Sequence, residues 1–492
     1  MTLRLTISIL CAVASLGAAE FRSGQAARAV LGQPSFSARD AGVVATAMTV
    51  SGQRLYVADA SNDVLTFDLT KIPGSKDDLA AHQGSGCAVC LQTPLSTISQ
   101  RVAPGSAAVA VSGRTVAAID TFTRRVLIWR DVSSPSASSG PDVILSPSDP
   151  QSEPSEATLM EPVSVALDSK RLFVGDAALH RVLVWNTVPA SPNQLPDAVL
   201  GQHDFSSQQT TDVPRADVLK RPDALVSDGA NLYVADSVDR RILVFSPSDL
   251  PLDTDSVVNS ATGLAAPLAS GTLITISATG LTDKIVSAPE DGSEPLPTKL
   301  AGVAVSLDGV PVPLLSISPT EIRAQLPYSI GNRSAATLFV RIDHGDGTVS
   351  ATSPVSLTIA PASPGLFAFG GNEPRPGMLL HSGEAQTPVT SDTPAAAGEA
   401  VAIWATGLHV IGDQTVAAGA PYSGPDLSFT PVRALVNGQP AEVRAISLPA
   451  TSVGIYEIHI LLPRDLPPGD VAQLSIAQDG YLSNTVTFPV NP

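Results

Sequence analysis

Residues 232–245, LYVADSVDRRILVF, set two carboxylates, Asp236 and Asp239, beside two guanidinium groups, Arg240 and Arg241. Acids and bases gathered this closely can carry chemistry, and aspartates around a shared axis can ligate a divalent cation through oxygen. An Asp that ends a strand also has a plainer use, accepting hydrogen bonds from turn N–H groups. Recurrence separates the two. Similar phrases stand at LYVADASNDVLTFD (55–68), VAAIDTFTRRVLIWRD (116–131) and LFVGDAALHRVLVWN (172–186). An active site is rarely built four times. Asp59, Asp120, Asp176 and Asp236 therefore read as structural turn residues, with Arg125, Arg181 and Arg241 as their partners. A carboxylate ring binding a metal at the repeat axis is the rival.

Other reactive side chains are sparse. Cys87 and Cys90, in SGCAVCLQ, form an even pair once Cys11 is lost with an N-terminal signal. In an exported chain that pattern suggests a disulfide, and a loop so short adds little entropic stabilisation. A redox dithiol or half a metal site are the alternatives; Leu91 stands where a haem-attachment motif has His. The seven His are dispersed without metal-pair spacing, and His180 sits in a repeat turn where solvation is expected. No G-x-S-x-G elbow occurs in a strand–turn–helix context, and DHGDGT (343–348) lacks the closing Glu of a calcium loop, so it reads as a hairpin. No catalytic, cofactor-binding or metal-binding residue is assigned, and no cofactor is expected.

The elements that carry these residues are short strands. The chain has 492 residues, 15% of them charged, with 42 Pro and 37 Gly, and shows no long apolar stripe of helical period. Its formal charge of −17 disfavours nucleic acid and anionic membrane surfaces. The start, MTLRLTISILCAVASLGAAE, has Arg4, an apolar run from Leu5 to Leu16 and small residues Gly17, Ala18 and Ala19. That is the pattern of a secretory signal (1–19) cut after Ala19, with no membrane insertion once it is removed.

The four phrases recur about every 60 residues, each with another strand candidate upstream, so one unit can hold four strands. Such units stack radially as propeller blades. AVLGQPSF (29–36) matches AVLGQHDF (198–205), the last strand of the third unit. The fourth unit lacks its own copy, so the N-terminal strand is expected to complete it and close a ring. LYVADSVDRRILVF resembles the core of NHL repeats, over roughly 24–250. The resemblance implies a β-propeller, though NHL propellers usually have about six shorter blades where four long ones are counted here. The stretch 70–110 is where a diverged blade is expected.

A second period begins near residue 256. SGTLITISATGL (270–281) matches AGEAVAIWATGL (397–408), and GVAVSLDGVPVPLLSISPTEIRAQLP (302–327) matches VRALVNGQPAEVRAISLPATSVGIYEIHILLP (432–463). Alternating strands with LDG and VNG turns suggest two immunoglobulin-like β-sandwiches, 256–362 and 395–492, joined by a connecting segment 363–394. LLSISPTEIRAQLPY, APASPGLFAF and LPPGDVAQLSIAQDGYLSNTVTFPV resemble an uncharacterised C-terminal β-domain common on secreted acidobacterial proteins. That resemblance implies export and no particular activity.

The expected fold is thus all-β: a propeller-like repeat domain of about four long blades, then two sandwiches. The expected role is binding or adhesion, outside the cell or at its surface, toward a glycan, peptide or protein. The alternative is a metal-dependent propeller lyase or lactonase-type hydrolase.

Overall fold

The computed structural model describes residues 19–491 except 34, 40–41, 61–62, 72–96, 100–107, 122, 132–139, 147–153, 266, 290–293, 332, 372, 383–385, 413–415, 423, 425, 450–451 and 468–470. The fold is all-β: among the described residues there is no α-helix, only single 3₁₀ turns such as Tyr328–Ile330.

The repeat half folds as four antiparallel sheets of four strands. The third is Pro162–Leu167, Leu172–Asp176, Arg181–Trp185 and Ala198–Leu200, paired in that order. The fourth is Pro222–Ser227, Leu232–Asp236 and Arg241–Phe245, completed by Ala29–Leu31 from the N-terminus. Ala29 lies opposite Val244 as Ala198 lies opposite Val184, so the two AVL strands occupy the same register. The central strands of these two sheets are buried along their whole length. Sheets cover both of their faces, which is why LFVGD, RVLVW, LYVAD and RILVF are nearly continuous apolar runs rather than alternating ones.

Three cores join the sheets in an arc. Ile119, Val126 and Ile128 of the second sheet pack on Val174 and Leu183 of the third. Phe173, Val182 and Val184 of the third pack on Leu225, Val234 and Phe245 of the fourth. Tyr233, Ile242 and Val244 of the fourth pack on Leu55, Val57 and Phe67 of the first. Among the described residues no fourth core joins the first sheet to the second. Val109 and Val111, on the first strand of the second sheet (Val109–Ser112), are 57% and 61% exposed. The described residues thus show four repeating sheets and do not show a closed four-bladed ring: the period fixes that sheets repeat, but closure depends on which faces meet.

The first C-terminal unit is a sandwich of two sheets, built on Leu273–Ser277 with Glu321–Gln325 and on Val303–Leu307 with Ala335–Asp343. Ile274, Ile276, Ile322, Val305 and Val340 fill the space between them. In the second unit one sheet folds on itself around Val401, Ile403, Ile458, Leu474 and Ile476. Proline accounts for the difference. The strand Gln439–Ser447 runs through both halves of the second unit, whereas its counterpart is split at Pro313 into Val310–Val312 and Leu314–Ile317, each in a different sheet. Pro has no N–H to give a central ladder. Both LDG and VNG form two-residue hairpin turns with both central residues left-handed, Asp308 with Gly309 and Asn437 with Gly438.

The segment 363–394 is not a surface connection. Gly365–Leu366 and Leu379–His381 pair with Ala400–Thr406, and Arg375–Pro376 pairs with Val486–Pro489. Buried Leu366, Leu379 and Val389 anchor it in the second sandwich.

The units meet through buried polar contacts. Ser248 Oγ lies 2.7 Å from Ser353 Oγ, and the Ala26 N–H donates to Pro354 O. Arg28 stacks 5.0 Å over the Phe339 ring, and burial lowers its pKa to about 10. Between the sandwiches, the hydroxyls of Tyr328 and Tyr456 lie 2.9 Å apart.

Candidate functional site

In three of the four repeats the strand-ending Asp reaches backward to the segment that leads into the first strand of its sheet. Asp59 accepts the Val44 N–H, Asp176 accepts those of Met160 and Glu161, and Asp236 accepts those of Lys220 and Arg221. In each case the first strand slips register directly opposite the Asp, at Ala45, Pro162 and Pro222. The carboxylate satisfies N–H groups just ahead of the ladder, where the incoming chain has no strand partner for them. Asp120 holds its own turn, accepting the Thr123 N–H.

Arg181 and Arg241 are both 0% exposed. Arg181 donates to Phe205 O at 2.6 Å and to Thr158 O at 2.9 Å. Arg241 donates to Phe36 O at 2.9 Å and to Val218 O at 2.8 Å. Each guanidinium thus ties the tail of the outer strand, GQ-x-x-F, to the segment leading into the first strand. Arg241 also donates from Nε and Nη2 to Asp236. Burial lowers the Arg181 pKa against the attraction of Asp176, and burial raises that of Asp236 against the attraction of Arg241. Arg125 faces Asp120 in register but is exposed. Cys87 and Cys90 lie outside the described residues.

The glycine and glutamine of the AVLGQ phrase also act in both copies. Gly32 and Gly201 have φ of +82° and +84°, and a Cβ on either would lie 2.7 Å from Val43 or 2.5 Å from Leu219. Gln33 Nε2 donates to Arg240 O, as Gln202 Nε2 donates to His180 O. Arg240 and His180 are equivalent left-handed turn residues, with φ of 52° and 54°. His180 is not a solvated turn residue: its Nδ1 lies 2.6 Å from Lys220 O of the next sheet.

Asp236, Asp239 and Arg241 of the opening phrase are held in an ion-pair network with their neighbours. Asp239, 1% exposed, faces Arg39 at 2.8 Å, Lys220 at 3.2 Å and Arg241 at 3.5 Å. Arg221 joins Asp223 and Glu161, and Ser237 donates to Asp223. The four cations face four carboxylates, and both oxygens of Asp236 already accept donors. A cation entering here would have to displace those donors. Among the described residues no three His, Cys, Asp or Glu side chains are grouped to hold a metal ion, and no helix is long and apolar enough to cross a membrane. A polar cleft of about 350 Å³ between Glu20–Ser23 and the third sheet is braced by its own bonds, Asn186 with Phe21 and Asp197.

Three histidines of the second sandwich pair with acids: His381 with Glu399, His409 with Asp479 and His459 with Glu457. Burial opposes protonation of His381, but the bond to Glu399 overrides it and raises the pKa above 6.5. A raised folded-state pKa adds stability below the unfolded value that is lost as pH rises through the folded value. His381→Gln is expected to flatten that pH dependence, read by hydrogen exchange of Ala400–Thr406 at pH values from 5 to 9. Unchanged dependence in the variant would refute the assignment.

No protein-family model matches the sequence, and no curated protein does. A solved structure similar to this chain is the crystal structure of the N-terminal Ig1-2 module of the Drosophila receptor protein tyrosine phosphatase DLAR, at 10% identity. It covers 49% of this chain and 94% of its own, with a TM-score of 0.14. The architecture therefore rests on the strand pairing described above.

Proposed function

We propose that this is an exported binding or adhesion protein. Its repeat half is an NHL-like, propeller-type frame, and its ligand docks on the open face of the second sheet. The observation carrying this is the exposure of Val109 and Val111 on an edge strand, with half-buried Leu127 and Trp129 on the same sheet face. The third and fourth sheets carry the buried arginine clamps and supply the rigid frame. Among the described residues the second shows no such clamp, and its edge strand, paired on one side, presents apolar side chains. An edge of that kind suits an extended polypeptide, which adds its own strand and sets alternate side chains on the apolar face.

Purified residues 20–492, screened on peptide and glycan arrays, are expected to bind a set of apolar extended peptides. Val109→Asp with Val111→Asp is expected to weaken that binding on the order of 100-fold, from about 1.4 kcal/mol per lost valine contact. Binding to glycans alone, or binding indifferent to the double variant, would defeat the proposal.

A further inference from the structure

The strand Tyr456–Leu461 alternates: Tyr456, Ile458 and Ile460 enter the core of the second sandwich, while Glu457 and His459 face outward. His459 Nε2 is 2.7 Å from Glu457 Oε1, and His459 Nδ1 is 3.2 Å from Ser382 Oγ. Ser382 arrives from the far side of Ala400–Thr406, where its N–H donates to Ala400 O. Gln386 Nε2 donates to Glu457 Oε1 at 3.3 Å. When Glu457 accepts the Nε2 proton, Nδ1 is left as an acceptor aimed at the Ser382 hydroxyl. A base held in one tautomer by an acid and bonded to a hydroxyl is the arrangement that activates a serine nucleophile.

The duplication shows that the fold does not require these residues. In the first sandwich Ser277 stands opposite Glu321 and Thr275 opposite Arg323. In the second, Trp404 stands opposite Glu457 and Ala402 opposite His459. The acid is present in both copies, EIRAQLP and EIHILLP, but the imidazole and the indole are present only in the second. Trp404 is 38% exposed beside the acid, an apolar plate against which an acyl or aryl group can rest.

We propose that Ser382, His459 and Glu457 form a nucleophilic acyl-transfer site for small carboxylic esters, separate from the ligand face proposed above. Ser382 Oγ bonds to the ester carbonyl carbon as its proton passes to His459 Nδ1. The tetrahedral adduct collapses, the carbon–alkoxy oxygen bond breaks, and His459 returns the proton to the departing alcohol. Water then attacks the acyl-serine with His459 again as base, releasing the carboxylic acid and restoring Ser382. Glu457 acts as a positioning residue.

The test uses the full mature chain and a fluorophosphonate probe, which Ser382 Oγ attacks at phosphorus with loss of fluoride. Labelling is expected at Ser382 by peptide mass analysis, absent in Ser382→Ala, and slowed 10²- to 10⁴-fold in His459→Gln, the range for loss of a general base. With 4-nitrophenyl acetate, Glu457→Gln is expected to lower kcat with KM unchanged. Each variant's circular dichroism should match wild type, because all three side chains lie on an outer face. Labelling of Ser382 no faster than of other serines, or equally fast in His459→Gln, would overturn the proposal. Peptide binding at Val109 and Val111 is read separately, so either idea can fail alone.

Discussion

Arg241→Met is expected to destabilise the repeat half by about 3–5 kcal/mol, the cost of breaking a buried ion pair by removing one partner. At this domain size that lowers Tm by roughly 10 °C. The loss has two parts. Asp236 remains at 0% exposure without its countercharge, and Phe36 O and Val218 O lose their donor. Arg125→Met, at the matching position of the second repeat, is expected to cost under about 0.5 kcal/mol, because Arg125 is exposed. Scanning calorimetry of both variants decides the matter. Equal costs at the two positions would mean that the buried clamp is not what holds the sheet ends.

The sequence distinguishes those two positions, through a signal far from either. A buried clamp needs a carbonyl to grip, and the carbonyl belongs to the aromatic of GQ-x-x-F. That phrase follows the outer strand only at Gly32–Phe36 and Gly201–Phe205, and these are the two sheets with buried arginines. The recurrence of the strand-ending Asp is legible in the sequence. The direction in which it bonds is not, since the N–H groups it accepts, in the segment leading into the first strand, leave no mark in composition. Ring closure was illegible for a similar reason. A period fixes what each unit contains, and burial of Val109 and Val111 depends on which unit lies across from them.

The sandwiches show the same division. Two-residue turns at LDG and VNG are local chemistry and appear where the sequence places them. The segment 363–394 looked like a linker because Pro, Gly and Thr dominate it, yet three short strands suffice to bind it into the sheet. Ser382 and His459 are 77 residues apart with no repeat linking them. Only the alternation Glu457-x-His459, which puts both side chains on one face of a strand, was available beforehand.

Removing residues 20–40 is expected to abolish folding of the repeat half. The segment carries Phe21, Val30, Leu31 and Phe36, each at most 2% exposed. At about 1.5–3 kcal/mol per buried side chain the loss is roughly 6–12 kcal/mol, comparable with the whole stability of a domain. It also strips the fourth sheet of its outer strand, opening the Arg241–Phe245 edge, and deprives Arg241 of Phe36 O. The sandwiches should survive, since their cores draw nothing from this segment. Hydrogen exchange would then show protection kept at Ile274–Ile276 and Ile458–Ile460 and lost at Val234 and Leu243. Adding a synthetic 20–40 peptide in trans should restore protection at Val234 and Leu243, as a donor strand does for an incomplete sheet. A truncated chain that keeps this protection without the peptide would show that the N-terminal strand covers the fourth sheet without holding it. The first apolar phrase after the expected cleavage point is then the last piece of the repeat, so the fourth sheet can form only from both ends of the repeat half.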